Sequence, residues 1–331
     1  MFEAFRKEIL QYESVGIFSH IRPDGDCIGA QVAMALWLEK NGVRALAFND
    51  HEVPASLTWL ADYFPIELPE EELTAQCDAF LVVDGNAPHR FGSFEVHQHQ
   101  FPRPTFMIDH HPDPVDVFDH AISVDDASST CELVYNLIAG HDETQLDEQI
   151  CKALYTGVVT DTGSFQFASV APETMEVAAA LMRHGGFRPP EVVERVFSNK
   201  SLNQLQLLSL ALDSLTLYEN NQIAIMTVTK GMLEKTRTRS EDCDGLVNFA
   251  LNVDGVKAAV LLKDIDDQGV KLSLRSRSEV DVNEWARELG GGGHKKAAGA
   301  LHPGPLDSAI HDIIKIGVKQ LKRLEDEKVL P

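Results

Sequence analysis

The most restrictive feature of this sequence is the placement of acidic and imidazole residues in its first half. They follow short apolar segments instead of being spread evenly. Such segments are typical of buried strands, and the carboxyl ends of strands in an open parallel sheet line one crevice. The segments and the residues after them are 15–19 with His20, Asp24 and Asp26; 79–83 with Asp84; 105–108 with Asp109, His110 and His111; and 153–159 with Asp161. We therefore expect these side chains to converge at one edge of a sheet.

Helical patterns alternate with these segments. Segment 27–40 has helical apolar spacing, and Gly42 is placed to end that helix. Segments 130–139 and 146–159 also have helical patterns, and 43–48 is a further short strand. The alternation predicts an α/β fold, with a mainly parallel sheet flanked by helices.

A second strand and helix pattern begins near Gln222. It predicts a smaller C-terminal α/β domain with strands at 223–228, 256–262 and 270–277 and helices at 282–289 and 306–325. The Leu-rich stretch before Gln222 is predicted to form a connecting helix. The expected limits are 1–195 for the N-terminal domain, 196–219 for the connecting helix and 220–331 for the C-terminal domain.

Charge and composition exclude some classes of function. A net charge of −22 argues against binding of long duplex nucleic acid, because phosphate contacts need a basic face. A small anionic substrate needs only a local positive site. The five cysteines are scattered and form no C-x-x-C, which favours the reducing cytoplasm over a disulfide framework. No apolar run approaches the roughly 18 residues of a membrane span, so no membrane association is expected.

The acidic residues of the first domain need cations if they converge. Carboxylates that lie close together cannot all stay ionised. Asp24, Asp26, Asp84 and Asp161 carry four negative charges, which two divalent ions would balance. Carboxylate and imidazole ligands suit Mn²⁺, with Mg²⁺, Co²⁺ or Fe²⁺ as alternatives. Two such ions can activate water and bind a phosphoryl oxygen, so the pattern predicts phosphoester hydrolysis.

Each part of the pattern also has a simpler structural explanation. Asp26 is placed to cap the helix that follows it, and Asp24 with Gly25 can form a turn. A single carboxylate after a strand, such as Asp84, is often a turn or cap residue. Cys27 is expected to pack in the first helical turn and not to bind metal. The conjunction of all four segments favours the metal-site interpretation.

The same segments carry a resemblance to a known family. The four motifs are His20-Ile-Arg-Pro-Asp24-Gly-Asp26-Cys-Ile-Gly29, Val83-Asp84-Gly85, Ile108-Asp109-His110-His111-Pro112 and Thr160-Asp161-Thr-Gly163-Ser-Phe-Gln. They resemble the motifs of the DHH phosphoesterases. Downstream, Gly290-Gly-Gly-Gly-His294-Lys-Lys-Ala-Ala-Gly299 resembles the signature of the associated DHHA1 domain. The two-domain form is similar to NrnA-type members, which act as oligoribonucleases (nanoRNases) and 3′-phosphoadenosine-5′-phosphate (pAp) phosphatases.

The resemblance implies a role for each motif residue. One divalent ion would be bound by His20 and Asp24, the other by Asp26, His110 and Asp161, with Asp84 bridging both. Asp109 would support the neighbouring metal-binding imidazole. His111 would face the scissile phosphate as an electrostatic stabiliser or as proton donor to the leaving oxygen.

The C-terminal domain is expected to bind substrate. Period-two alternation puts Lys271, Ser273, Arg275 and Arg277 on one face of a strand, although a solvated sheet face would look the same. The glycine run 290–293 lets the backbone approach a ligand, and its N–H groups can bind an anion; a flexible linker is the alternative. The expected substrate-binding residues are Arg275, Arg277, Gly292, Gly293 and His294, with the arginines holding a 5′-phosphate.

The sequence thus predicts a two-metal hydrolase of short oligoribonucleotides (nanoRNA, pApA), cut from the 3′ end, and of pAp. The second domain is expected to close over the metal site, and a homodimer is compatible with this function. A stand-alone cyclic-dinucleotide phosphodiesterase is an alternative of the same class. A catalytically inactive nucleotide-binding protein is an alternative of another class. The glycine run disfavours a family II inorganic pyrophosphatase, and length and acidity disfavour a RecJ-like exonuclease acting on long single strands.

Overall fold

A computed structural model describes residues 1–198, 200–266 and 269–329. The chain divides into two compact units, Met1–Asn199 and Lys200–Pro331. Each unit is built on its own sheet flanked by helices, so the predicted α/β fold is confirmed. Among the described residues, no helix combines the length and apolarity that crossing a lipid bilayer requires.

The first unit contains a parallel sheet that, in the described ranges, has six strands in the order β3-β2-β1-β4-β5-β6. The strand order reverses between β1 and β4, and in such sheets this switch point opens a crevice at the carboxyl ends of the strands. The strands are β1 (Ser14–Ser19), β2 (Arg44–Phe48), β3 (Ile66–Glu67), β4 (Ala79–Val83), β5 (Thr105–Asp109) and β6 (His120–Ser123).

Burial explains why the central strands read as continuous apolar runs. Every residue of β1, β4 and β5 is buried, because helices cover both faces of a parallel sheet. The helices of this unit are α1 (Phe2–Ile9), α2 (Gly25–Lys40), α3 (Thr58–Ala61), α4 (Glu71–Thr74), α5 (Phe94–Gln100), α6 (Thr130–Ala139), α7 (Glu148–Asp161), α8 (Pro172–Gly185) and α9 (Pro190–Phe197). The strands β3 and β6 were not predicted; both are short and partly exposed.

The close packing of α2 against α7 depends on small residues. A β-carbon at Gly29 of α2 would lie 2.4 Å from the carbonyl oxygen of Ala153 in α7. The two backbones therefore approach more closely than larger side chains would allow. This contact brings the first turn of α2 and the last turn of α7 beside the carboxyl ends of the strands.

The second unit contains a mixed sheet in the order β11-β12-β10-β9-β8-β7. Strands β8 and β9 are parallel, and the other neighbouring pairs are antiparallel. The strands are β7 (Thr216–Tyr218), β8 (Ile223–Thr229), β9 (Ala258–Asp266), β10 (Gly269–Ser276), β11 (Gly292–His294) and β12 (Ala297–His302). The helices are α10 (Leu202–Asp213), α11 (Lys230–Thr236), α12 (Leu246–Leu251), α13 (Val282–Glu288) and α14 (Leu306–Val329).

The interval 196–219 differs from the single connecting helix that was expected. It holds the end of α9, then α10, then β7. Ser201 caps α10 in a reciprocal capping box with Gln204. After Asp213 the chain pairs with β8 instead of continuing the helix, and the hydroxyl of Ser214 donates to the carbonyl of Ala211. The Leu-rich pattern therefore covers a helix and an edge strand.

Candidate metal centre

The carboxyl ends of β1 and β4 bring an imidazole between two carboxylates. His20 follows β1, and its Nε2 lies 3.7 Å from Oδ2 of Asp24 and 3.4 Å from Oδ2 of Asp84. Asp84 directly follows β4, is 2% exposed and has a left-handed φ of 61°. Aspartate tolerates this conformation better than most residues, and such conformations cluster at functional sites.

A second imidazole lies on the other side of Asp84. His110 follows β5, and its Nε2 is 3.6 Å from Oδ1 of Asp84, 3.8 Å from Oδ2 of Asp26 and 3.4 Å from Oδ2 of Asp161. The two oxygens of Asp84 therefore face two different imidazoles. The structure brings together the six residues that were predicted as metal ligands: His20, Asp24, Asp26, Asp84, His110 and Asp161.

Asp161 reaches the cluster from a helix: the helix predicted over 146–159 is confirmed, and the placement of Asp161 at the end of a strand is wrong. It is the last residue of α7, and Thr162 caps that helix. The apolar segment 153–159 resembles a buried strand because this part of α7 is buried. A short apolar run alone does not distinguish the two cases.

Backbone carbonyls orient both imidazoles. Nδ1 of His20 lies 2.9 Å from the carbonyl oxygen of Ile21, and Nδ1 of His110 lies 3.2 Å from that of Ala127. A carbonyl can only accept, so each Nδ1 carries a proton and each Nε2 is the ring nitrogen that faces the carboxylates. This is the usual arrangement of a metal-binding histidine.

The N-terminus of α6 holds two of the carboxylates. The backbone N–H of Thr130 donates to Oδ2 of Asp26 at 2.6 Å, and that of Cys131 donates to Oδ1 at 2.9 Å. The hydroxyl of Thr130 donates to Oδ1 of Asp84 at 3.0 Å. Helix N-termini favour negative charge, so these contacts stabilise buried Asp26. Sequence reasoning missed this support, although Ser129 before a helical segment is an N-cap signal.

The first turn of α2 is capped by Asp24 and not by Asp26. Oδ1 of Asp24 accepts from the backbone N–H groups of Asp26 and Cys27 at 3.0 and 3.1 Å. In return, the backbone N–H of Asp24 donates to Sγ of Cys27 at 3.3 Å. Cys27 is fully buried, and burial raises the pKa of its thiol to about 11. The thiol therefore completes a reciprocal cap that fixes Asp24.

Asp109 supports a different imidazole from the one expected. It accepts from the backbone N–H of His111 at 3.0 Å and from Nδ1 of His111 at 2.7 Å. The expectation that it supports His110 is wrong, because alternation at the end of β5 sends Asp109 and His111 to one side. His110 uses the carbonyl of Ala127 instead. The fully buried Asp109 therefore fixes the ring and tautomer of His111.

The carboxylates of the cluster lie close enough to one another to shift the pKa values of several of its residues. Burial, together with Asp84 and Asp161, raises the pKa of Asp26 well above its usual range. Burial also raises the pKa of Asp161 to about 7. Burial opposes protonation of His110, but Asp161, Asp84 and Asp26 outweigh it and raise its pKa to about 9. Without cations, Asp26 and Asp161 are driven toward protonation and His110 toward its charged form, so the donor set fits divalent metal ions.

The residues that were predicted to bind substrate lie in the second unit. Along β10 burial alternates: Leu272 and Leu274 are buried, while Lys271, Ser273 and Arg275 are half-buried. Arg277 lies just after β10, is exposed and donates to Oδ1 of Asn252 at 3.3 Å. The alternation is as predicted; substrate binding by these residues stays a prediction.

The glycine run forms an edge strand and not an open loop. Gly292, Gly293 and His294 make up β11 and pair with β12. A β-carbon at Gly291 would lie 2.1 Å from the carbonyl oxygen of Gly299, and one at Gly293 would lie 2.6 Å from that of Ala297. Close approach of the two backbones therefore explains these glycines without a ligand.

Comparison with known proteins agrees with this architecture. Residues 14–158 match the DHH family N-terminal domain, and residues 220–320 match the DHHA1 domain. The chain is 30% identical over 312 residues to the bifunctional oligoribonuclease and PAP phosphatase NrnA of Thermus thermophilus, covering 93% of this chain and 90% of that protein. It is 28% identical over 304 residues to the protein of the same name from Bacillus subtilis, covering 89% and 91%.

A solved structure has the same overall architecture. The crystal structure of an exopolyphosphatase-related protein from Bacteroides fragilis aligns with a TM-score of 0.90 and 27% identity, covering 98% of this chain and 96% of that one. The family models, the relatives that match over most of their length and the solved structure therefore all indicate the same two-domain architecture. The chain belongs to the DHH–DHHA1 family, whose centres use divalent metal ions, and it is a phosphoesterase and thus a hydrolase.

Proposed function

We propose that this phosphoesterase hydrolyses short oligoribonucleotides such as nanoRNA and pApA from the 3′ end, and also pAp. The observation that carries the proposal is the position of Asp84, whose two carboxylate oxygens face His20 and His110. A carboxylate with a metal-binding imidazole on each side is suited to contact two cations. The relatives named as oligoribonuclease and PAP phosphatase cover most of this chain, which supports the substrate class.

The proposed ligand sets follow the grouping of the side chains. His20 and Asp24 would hold one divalent ion, Asp26, His110 and Asp161 would hold the other, and Asp84 would be shared by both. We propose Mn²⁺, because the set mixes imidazole with carboxylate; Mg²⁺, Co²⁺ and Fe²⁺ are the alternatives. When bound, the two ions supply a nucleophilic water at neutral pH and counter-charge for the phosphoryl oxygens.

His111 is proposed to act directly on the scissile phosphate. Its Nδ1 is held by Asp109, so Nε2 is the atom that, when it carries a proton, can donate to a phosphoryl or leaving-group oxygen. Asp109 remains a positioning residue, since both of its oxygens are used by His111. The sequence pattern grouped His111 and Asp109 as catalytic residues; the proposed roles are substrate contact for His111 and positioning for Asp109.

The second unit is proposed to recognise the substrate. We propose a catalytic domain at 1–195 and a substrate-binding domain at 220–331; in the interval 196–219 between them, the residues from 200 on belong to the second compact unit. Arg275 and Arg277 would bind a 5′-phosphate bidentately, and Gly292, Gly293 and His294 would add backbone and imidazole donors. A terminal-phosphate anchor favours short substrates, and the net charge of −22 disfavours long nucleic acid.

The proposal extends to the setting in which the protein acts. A cytoplasmic location is supported by five buried cysteines that form no disulfide. A homodimer is also proposed, and the molar mass in solution, measured by light scattering across a concentration series, tests it.

A kinetic panel on metal-reconstituted protein tests the function. The substrates are pApA, pAp, cyclic di-AMP and a long single-stranded RNA, each assayed with Mn²⁺ and after EDTA treatment. We expect pApA and pAp to be hydrolysed and EDTA to abolish both activities. Preference for cyclic di-AMP would establish the phosphodiesterase alternative. Absence of a single turnover under excess enzyme would establish an inactive nucleotide-binding protein.

A further inference from the structure

Arg90 lies beside the metal centre in a segment that no sequence motif identified. It belongs to a short 3₁₀ turn, Pro88–Phe91, that follows Asp84 along the chain. The carbonyl oxygen of Arg90 accepts from the backbone N–H of Ile21 at 2.9 Å. The turn is thereby fixed to the segment that carries His20, so the start of the Arg90 side chain has a defined position.

The guanidinium of Arg90 contacts the residue proposed to act on the substrate. Its Nη2 lies 3.2 Å from Nε2 of His111. Because Asp109 holds the proton of His111 on Nδ1, Nε2 accepts and the guanidinium donates. The other terminal nitrogen, Nη1, lies 3.4 Å from Oδ1 of Asn86, whose amide donates to the carbonyl of Pro112 at 2.7 Å.

Both of these side-chain contacts, in the part of the chain that the structure describes, are with groups other than carboxylates. A structural arginine at a carboxylate-rich site would be expected to pair with a carboxylate. Arg90 instead directs its charge toward His111. A phosphate oxygen within hydrogen-bond distance of Nε2 of His111 would lie at most about 6 Å from Nη2 of Arg90. A small movement of the guanidinium spans that distance.

The net charge of the metal centre explains why an additional cation such as Arg90 would help to bind phosphate. Two divalent ions would neutralise Asp24, Asp26, Asp84 and Asp161, which would leave no excess positive charge for an incoming phosphate. A guanidinium offers five donors in a fork that matches phosphate oxygens.

We propose that Arg90 binds a non-bridging oxygen of the scissile phosphate, exchanging its contact with His111 for one with the substrate. The inference rests on the proposed function of the centre. It adds a phosphate-binding residue from the first unit to those proposed in the second. Because every substrate of the centre carries a scissile phosphate, Arg90 would act on all of them alike.

The test measures the affinity of manganese-reconstituted protein for inorganic phosphate by calorimetry, in wild type, Arg90→Gln and Arg44→Gln. Arg44 is an exposed arginine at the opposite, amino-terminal end of the parallel strands and serves as the matched control. We expect Arg90→Gln to weaken phosphate binding at least about tenfold, the range for a hydrogen bond to a charged group, and Arg44→Gln to leave it unchanged. Manganese affinity should stay within about threefold of wild type in both variants, because neither residue is a metal ligand.

A double-mutant cycle separates a direct contact from an effect through His111. If Arg90 binds phosphate itself, Arg90→Gln weakens phosphate binding in the His111→Asn background as well. If the effect disappears in that background, Arg90 acts only by positioning His111 and the inference is overturned. Loss of manganese affinity in Arg90→Gln, or unchanged phosphate affinity, would overturn it too. These binding results do not depend on which nucleotide the wild-type enzyme hydrolyses, so failure of the proposed function is recognised separately.

Discussion

Gly157 connects the packing of the first unit to its metal centre. It lies in the middle of α7, where a β-carbon would sit 2.2 Å from Sγ of Cys131 and 2.5 Å from Oδ1 of Asp26. Neither neighbour can move away cheaply. The carboxylate of Asp26 is held by the backbone N–H groups of Thr130 and Cys131, and both side chains are buried.

The change Gly157→Ala sets two effects against each other. Alanine in a helix interior gains about 1 kcal/mol over glycine through its higher helix propensity. Overpacking a buried site costs about 1–3 kcal/mol, and both separations are shorter than any ordinary contact. We therefore expect a net loss of up to about 2 kcal/mol, which for a unit of this size lowers the Tm by up to about 8 °C. Displacement of Asp26 should also weaken manganese binding about tenfold to hundredfold, as for other disturbances of groups around a metal.

The matched control is Gly231→Ala in α11. Among the described residues, the neighbour that a β-carbon there would approach is Oγ1 of Thr229, at 3.9 Å. The same substitution should be neutral or stabilise by up to about 1 kcal/mol. Differential scanning calorimetry measures the Tm of both variants, and isothermal titration of the metal-free proteins measures manganese affinity.

A double variant distinguishes the effect of the contact with Cys131 from that of the contact with Asp26. In Gly157→Ala/Cys131→Ala the contact with Sγ is removed but the one with Oδ1 of Asp26 remains. We expect part of the stability to return while manganese affinity stays low. Wild-type manganese affinity in Gly157→Ala, with a Tm at or above that of wild type, would refute the reasoning.

Three further predictions concern the proposed chemistry. Asp84→Asn removes the charge between His20 and His110 and should weaken manganese binding by at least about tenfold to hundredfold, seen by calorimetry; a similar loss in the exposed variant Asp62→Asn would contradict a specific role. Because the pKa of His110 is raised to about 9 and that of Asp161 to about 7 in the metal-free chain, metal binding must displace protons, so manganese affinity should rise from pH 6 to pH 9; a flat profile would count against these ligands. Arg275→Ala should raise the KM for pApA about tenfold to hundredfold and leave that for ApA unchanged; equal effects on both would exclude a 5′-phosphate contact.

Much of the fold could be predicted from sequence because the central strands have a strong local signal. The runs 15–19 and 79–83 are buried on both faces, so every residue is apolar or small and the pattern does not depend on tertiary contacts. The edge strands β3 and β11 have no such signal. Ile66–Glu67 is two residues long, and the glycines of β11 have low strand propensity.

The convergence of the acidic and imidazole side chains could be predicted because they follow or flank buried segments, whereas the groups that position them could not be predicted. Thr130 and Cys131 reach Asp26 across 104 and 105 residues of sequence. Arg90 reaches His111 from a turn with no pattern of its own. The need for glycine at position 157 arises from contacts with α2 and α6 that a single helical pattern does not contain.

The acidity of the chain and the charge of its substrate are compatible because screening limits their interaction. At physiological ionic strength the Debye length is about 8 Å, so exposed carboxylates farther away contribute little to the potential at the centre. Within that distance the proposed cations and Arg90 act on the scissile phosphate directly. A dinucleotide has few phosphates that could lie outside this region. A long strand extends beyond it, along a chain with a net charge of −22, where each further phosphate meets on average a repulsive surface. We therefore expect the net negative charge to disfavour long strands, in addition to the effect of the terminal-phosphate anchor proposed in the second unit.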